Sequence, residues 1–182
     1  QRPNAVLVAG DLAFTVERDN HRVQVTRLPD GVPAGSFGED ELRLPYGAVI
    51  SGWLPELTFW VTDDYEVPPD GTGDLTRRIH RFLVRFDGNG KPTVLDHATF
   101  GDPEGPGALA VVETIGLDAE NNRLLVADEA RKAHLVYDTL GRFTGGLMGE
   151  GLIAGDPEGV ALVRCPGGTG YWIATDQQPD VS

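Results

Sequence analysis

Apolar residues in this chain fall in short runs and almost nowhere at helical spacing. The runs are Ala5–Val8, Leu12–Val16, Val23–Leu28, Leu57–Thr62, Ile79–Phe86, Arg123–Ala127, His134–Tyr137, Val160–Val163 and Tyr171–Thr175. They are rich in β-branched and aromatic side chains. Turn-forming clusters such as Pro29-Asp30-Gly31, Asp87-Gly88-Asn89-Gly90 and Pro166-Gly167-Gly168 separate them. Short β-rich runs punctuated in this way predict an all-β fold.

The runs also repeat. Phe14–Asp19, Phe59–Asp64, Leu124–Glu129 and Tyr171–Asp176 share one form, an apolar or aromatic stretch that ends in acidic or polar residues. In the first three copies a third strand and a turn follow, and a fourth strand then leads to glycine at Gly38, Gly101 and Gly149. The copies begin at positions 14, 59, 124 and 171, so they are spaced by 45, 65 and 47 residues. The two shorter spacings match the four-stranded blade of a β-propeller, and the longer one holds a loop at roughly Glu66–Thr76. On this reading, residues 1–182 are a single partial β-propeller domain with blades at about 5–38, 47–101, 111–149 and 156–182, the last one incomplete. About three and a half blades is fewer than a closed ring needs, so the remaining blades are expected outside this chain. The pentapeptide Gly-Asp-Pro-Glu-Gly occurs twice, at 101–105 and 155–159, and its first copy reads as a turn between blades.

Composition narrows the chemistry. Fifteen Lys and Arg against 28 Asp and Glu give a formal net charge of −13, which argues against nucleic acid or an anionic membrane as partner. The same surplus of carboxylates suits a hard cation such as Ca²⁺. One cysteine, Cys165, excludes an internal disulfide framework and any multi-cysteine zinc site. No apolar run approaches the length of a membrane span, and the opening residues carry no signal-peptide core, so a targeting segment is expected to lie outside the chain.

The recurring acids are the leading candidates for chemistry: Glu17 and Asp19, Asp63 and Asp64, Asp128 and Glu129, Asp156 and Glu158, and Asp176 with Gln177. Equivalent places in successive blades converge on one axis. Carboxylates gathered there repel one another unless a cation neutralises them, and oxygen ligands in that number favour Ca²⁺ over zinc. The alternative is that these acids simply end strands at a solvated rim. His21, His80, His97 and His134 fall in or near third and fourth strands, away from the acidic ends, and read as surface or structural residues. Cys165 reads as a free thiol in a turn, and Trp53, Phe59, Trp60, Tyr171 and Trp172 as inter-blade core.

Leu124-Leu-Val-Ala-Asp-Glu129, Tyr137-Asp138, Asp156-Pro-Glu-Gly-Val-Ala-Leu162 and Gly170-Tyr-Trp-Ile-Ala-Thr-Asp-Gln177 together resemble the later-middle part of the β-propeller phytases. Glu17–Val25, Pro45-Tyr46-Gly47 and Trp60–Asp63 fit the preceding blades of bacterial phytase-like proteins. The resemblance covers nearly the whole chain. It implies a six-bladed, calcium-dependent 3-phytase-like phosphatase, secreted or periplasmic and monomeric when its ring is complete. The implied substrate is a small phosphate ester, myo-inositol hexakisphosphate or a relative. Carried over by position, it implies metal ligation by Asp128, Glu129, Asp156, Glu158 and Gln177, catalytic roles for Glu158, Asp156 and Glu129, and substrate contacts from Tyr46, Arg18 and Arg43.

Three departures stand against that assignment. A family glutamate directly before glycine is Ile115 here, with Glu113 two residues earlier; a family phosphate-binding lysine corresponds to Asp64; and the opening Asp-Asp-Pro-Ala strand is absent. Two other readings follow. Asp19-Asn-His-Arg-Val-Gln-Val25 with Gly35–Gly38 and Pro45–Gly47 also resembles NHL-type blades, many of them non-catalytic binding modules, and a lactonase-like propeller with one Ca²⁺ is the third.

Overall fold

A computed structural model of the chain describes residues 2–67, 73–167 and 169–177. Residues 68–72, inside the long loop expected between the second and third strands of the second repeat, and residues 178–182, assigned above to the last blade, lie outside the described residues.

Among the described residues, fourteen strands form four sheets in chain order. The first sheet holds β1 (Pro3–Ala9), β2 (Leu12–Glu17), β3 (Arg22–Arg27) and β4 (Pro33–Phe37). The second holds β5 (Pro45–Trp53), β6 (Glu56–Asp63), β7 (Ile79–Phe86) and β8 (Pro92–Phe100). The third holds β9 (Val112–Asp118), β10 (Arg123–Asp128), β11 (Ala133–Asp138) and β12 (Phe143–Met148), and the fourth holds β13 (Asp156–Arg164) and β14 (Gly170–Gln177). Each sheet places its strands side by side in sequence order, with antiparallel pairing between neighbours such as β1 and β2, β5 and β6, β10 and β11, and β13 and β14. The fold is therefore all-β, as the short apolar runs predict. Among the described residues helix is confined to single 3-10 turns, Glu129–Arg131 being one, and no helix there is long and apolar enough to cross a membrane.

The chain divides into two compact units. One comprises residues up to Glu66 together with Ile79–Thr99, and carries the first and second sheets; the other comprises Val67–Arg78 and the chain from Phe100 onward, and carries the third and fourth. In the first unit the alternation of β2 and β3 sends Leu12, Phe14, Val16, Val23 and Val25 inward against Leu57, Phe59, Val61, Phe82, Val84 and Phe86. Phe59 stands at the centre, with its ring 5.0 Å from those of Phe14 and Phe37, both edge-on. In the second unit β10 is buried from Leu124 through Asp128, with neither face left to solvent. Its glycine at 116 is a packing requirement: a Cβ there would lie 2.7 Å from the Trp172 indole, so β14 closes on β9 only because no side chain intervenes.

Two devices set the strand geometry. At the hairpins joining third to fourth strands, Asp87 Oδ1 accepts N–H bonds from Asn89 (2.8 Å) and Lys91 (2.9 Å), and Asp138 Oδ1 does the same for Leu140 and Arg142 at 2.9 Å each. The Lys91 and Asn89 amides hold the Asp87 carboxyl below its usual range. The second device is a latch at the end of the second strand in the second, third and fourth sheets. Asp63 accepts from the amides of Arg43 (3.0 Å) and Leu44 (2.6 Å), Asp128 from Ala110 (2.8 Å) and Val111 (3.4 Å), and Asp176 from Ala154 (3.0 Å) and Gly155 (2.7 Å). In each case the amides belong to the segment about to enter a first strand, where no ladder partner is yet in place. The residue after the aspartate completes the clasp through its own amide, Asp64 to the Leu44 carbonyl and Glu129 to the Val111 carbonyl, both at 3.0 Å.

Two outcomes follow for stability. Phe59→Ala should lower unfolding free energy by about 3–5 kcal/mol, read from the urea midpoint by circular dichroism, and a loss below about 1 kcal/mol would mean that the ring cluster collapses without penalty. Asp128→Ala leaves half-buried amides without their acceptor and should cost about 1–3 kcal/mol; an unchanged midpoint would show that water takes over those bonds.

Candidate metal centre

The latches place a second irregularity at a fixed distance. In each sheet the first strand carries an extra residue close to its start. Tyr46 and Gly47 together oppose the single Thr62, Glu113 and Thr114 oppose Ala127, and Glu158 and Gly159 oppose Thr175; in the first sheet the extra residue is Asn4. A bulge of this kind re-aims the side chains it carries. Tyr46, Glu113 and Glu158 thus occupy the same structural position in three successive sheets.

In the second unit the bulges build a cluster. Oxygen atoms of Glu113, Glu129 and Glu158 all lie within 4.8 Å of one another. Glu113 comes from the β9 bulge and is buried, while Glu129, which opens the 3-10 turn beyond the Asp128 latch, and Glu158, from the β13 bulge, are half-buried. Burial first, and then the neighbouring carboxylates of Glu129 and Glu158, push the Glu113 carboxyl up to about 9. Three carboxylate oxygens at this separation fit a hard divalent cation of calcium's kind, and they lack the nitrogen or sulfur donors that zinc prefers.

The surrounding backbone fixes the three groups. Asp128 accepts the Ala130 amide at 3.0 Å and so caps the turn that presents Glu129. The Thr114 hydroxyl donates to the Glu158 carbonyl, and Lys132 Nζ donates to the Ala154 carbonyl at 2.6 Å. Thr175 Oγ1 accepts the Gly159 amide at 2.7 Å, as Thr62 accepts that of Gly47 at 2.8 Å in the second sheet.

Of the residues expected to hold a metal, Glu129 and Glu158 meet here, and Glu113, noted from sequence only as a displaced family residue, joins them. Asp128 stands apart from the three: its carboxylate accepts the amides of Ala110, Val111 and Ala130 and so positions Glu129. Asp156 and Gln177 face each other in register across β13 and β14, and Asp156 is not one of the three clustered carboxylates. The Asp128–Glu129 doublet therefore splits: the first acid latches backbone, and the second carries its side chain into the cluster.

The expected substrate contacts lie in the first unit. Arg18 pairs with Asp64 at 3.2 Å and stacks over Tyr46 at 5.5 Å, while Arg43 stacks over Tyr65 at 4.7 Å. Arg18, Tyr46 and Asp64 thus form one group, in which Asp64 and Tyr46 hold the places that Glu129 and Glu113 hold in the third sheet.

Two further expectations are revised. His80 is fully buried, with Nε2 3.4 Å from the latch carboxylate of Asp63 and Nδ1 3.0 Å from His97 Nε2, so it is not remote from the acidic ends. His134 is fully buried as well, and burial lowers its pKa. Phe59 and Trp60 are core residues, but Trp53 is 89% exposed and Tyr171 69% exposed. Cys165 is a free thiol, half-buried.

No family model and no curated protein matches the chain. Among solved structures it is similar to the crystal structure of a functionally unknown protein from Desulfotomaculum acetoxidans DSM 771, with a TM-score of 0.54 and 13% sequence identity. The match covers 81% of this chain and 42% of that one, so the chain spans less than half the length of its structural relative. At this identity the likeness speaks to the arrangement of strands alone.

Proposed function

We propose that the chain is part of a β-propeller hydrolase of the phytase-like kind, in which Glu113, Glu129 and Glu158 hold a divalent cation, Ca²⁺ by preference, for hydrolysis of a small phosphate ester. The observation that carries this reading is the convergence of three carboxylates from three separate segments, one of them buried. The propeller rests on sheets of sequentially paired strands that repeat the same latch and the same bulge.

A bound divalent cation would supply neutralising charge for phosphate oxygens and an electrophile that favours water attack. The protein supplies the frame. Burial keeps Glu113 on the inner side of the cluster, and half-buried Glu129 and Glu158 leave the outer side open to solvent and ligand. Three ionised carboxylates against one divalent cation leave a formal charge of −1, which favours an ester of low charge over a hexakisphosphate. That same residual charge is the one observation that supports a second reading, a cation that ties sheets together in a non-catalytic binding module.

The experiment is phosphate release from p-nitrophenyl phosphate and from phytate, with Ca²⁺ and with EGTA, beside thermal unfolding under both conditions. Chelator-sensitive release together with a rise in Tm supports the hydrolase; at a hundredfold excess over Kd the stabilisation is about 2.7 kcal/mol. A rise in Tm without release supports the binding module, and neither response rejects the site.

The pH dependence separates Glu113 from its neighbours. Its carboxyl is pushed up to about 9 in the folded protein from 4.5, so between those values the folded state holds a proton that the unfolded state has lost. Cation-free stability should therefore fall as pH rises from about 5 towards 9, by at most about 1.4 kcal/mol per pH unit. Glu113→Gln should flatten that fall and abolish the Ca²⁺-induced rise in Tm. Because the cation displaces the proton, wild-type affinity should increase over the same range. A wild-type profile no steeper than that of the variant would show that Glu113 ionises normally.

A further inference from the structure

A cavity of about 180 Å³ opens within the first unit, at the opposite end of β6 from the Asp63 latch. We propose that it binds a primary alkylammonium group on a short aliphatic stem, the chemistry of a lysine side chain. Its floor is apolar. Leu12 at the start of β2 and Phe86 at the end of β7 are both buried, and Leu54 and Pro55 of the β5–β6 hairpin continue the wall. Its mouth is polar, with Asp11 on the β1–β2 hairpin and Asp87 and Asn89 on the β7–β8 hairpin.

The hairpins around the cavity are fixed by close backbone approaches. A Cβ at Gly90, where φ is +80°, would lie 2.7 Å from Leu12 Cδ2; one at Gly10, where φ is +58°, would lie 2.9 Å from Leu54 Cδ1. The Phe86 amide donates to the Pro55 carbonyl at 2.8 Å, and the Leu28 amide to the Asp11 carbonyl at 2.7 Å. The Gly90 amide donates to the Asp87 carbonyl at 2.9 Å. Walls tied in this way spare a ligand much of the ordering cost of binding.

Charge chooses the sign of the ligand. Asp87 gives Oδ1 to the Asn89 and Lys91 amides, and among the described residues no hydrogen bond engages its Oδ2 or the Asp11 carboxylate. Arg27 also lines the cavity, but its guanidinium pairs with Asp30 at 2.8 Å; Lys91 is the cation beside Asp87. Asp11, Asp30 and Asp87 against Arg27 and Lys91 leave one negative charge unmatched. A single ammonium balances it, whereas a carboxylate would double it. The ammonium is a compact head with three donors, and Asp11, Asp87 Oδ2 and the Asn89 side-chain carbonyl offer it acceptors. Its stem lies on Leu54 and Phe86, as lysine stems lie on apolar surface elsewhere. The volume is that of one side chain, below the roughly 300–1,000 Å³ of cavities that enclose a drug-sized ligand.

The test is titration of the ¹⁵N-labelled full chain with n-butylamine, Nα-acetyl-lysine amide, Nα-acetyl-norleucine amide and hexanoate, followed at the Gly88 and Gly90 amides. The two ammonium compounds should shift those amides saturably, and the uncharged and anionic compounds should not. Asp11→Asn, at an exposed position, should weaken the lysine compound about fivefold. Asp87→Asn keeps an oxygen for the turn amides and should weaken it about as much, and added salt should weaken wild type in the same direction. Similar Kd values for butylamine and the lysine compound would make a free amine a sufficient ligand. A lysine compound bound much more tightly would mark a polypeptide as the source, and either result supports the site. Norleucine binding as well as lysine, a preference for hexanoate, unchanged Kd in both aspartate variants, or no shift with any compound would overturn it. None of these results bears on Glu113, Glu129 and Glu158, so the two sites stand or fall separately.

Discussion

The structure depends on one interaction made three times: a carboxylate at the end of a second strand accepting the amides of the segment about to begin a first strand. Without Asp63, Asp128 and Asp176 those amides would enter the sheet with no acceptor, because the ladder that satisfies later residues has not started. The aspartate solves this at a fixed place, and so it also fixes where the first strand starts. The bulge follows within a few residues, and the bulge aims Tyr46, Glu113 and Glu158. Backbone satisfaction and site geometry are therefore a single constraint. A residue type that looks like chemistry serves the backbone so that its neighbour can serve the site.

That double use explains what the sequence could and could not reveal. Strands and hairpins were legible because alternation and Asp- and Gly-containing turns act locally: Phe14, Val16, Val23 and Val25 alternate as they pack, and Asp87 and Asp138 build their turns from neighbours two and four residues on. The acidic doublets were legible as a recurrence, though not as a division of labour. Asp128 and Glu129 are adjacent and alike in charge, and only the position of the Ala110 and Val111 amides, eighteen and seventeen residues from Asp128, decides which one is consumed. Glu113 was harder still. Strict alternation from Ile115 would assign its direction by parity, and the bulge breaks the parity. Its signal in the sequence is Ile115 at the place of the family glutamate, with Glu113 two residues earlier.

Local sequence fails most plainly where it is identical. Gly-Asp-Pro-Glu-Gly at 101–105 is irregular chain after β8, and the same five letters at 155–159 open β13 and deliver Glu158. The second copy has β14 beside it, with Asp156 paired to Gln177 and the Asp176 carboxylate holding Gly155. His80 and Trp53 make the same point from opposite directions. One is drawn into the interior beside Asp63, and the other stands at a hairpin tip although its composition suggests core.

The bulge has an evolutionary consequence. One extra residue near the start of a strand absorbs the change of parity within a short stretch, so the latch on one side and the alternating core on the other do not register what the bulge carries. Tyrosine at 46 and glutamate at 113 and 158 already show three occupants of one address inside a single polypeptide. A sheet built this way can exchange a stacking aromatic for a carboxylate by one codon, with its scaffold intact. Diversification of such repeats would then proceed at an address the core cannot sense, which frees chemistry to drift faster than architecture.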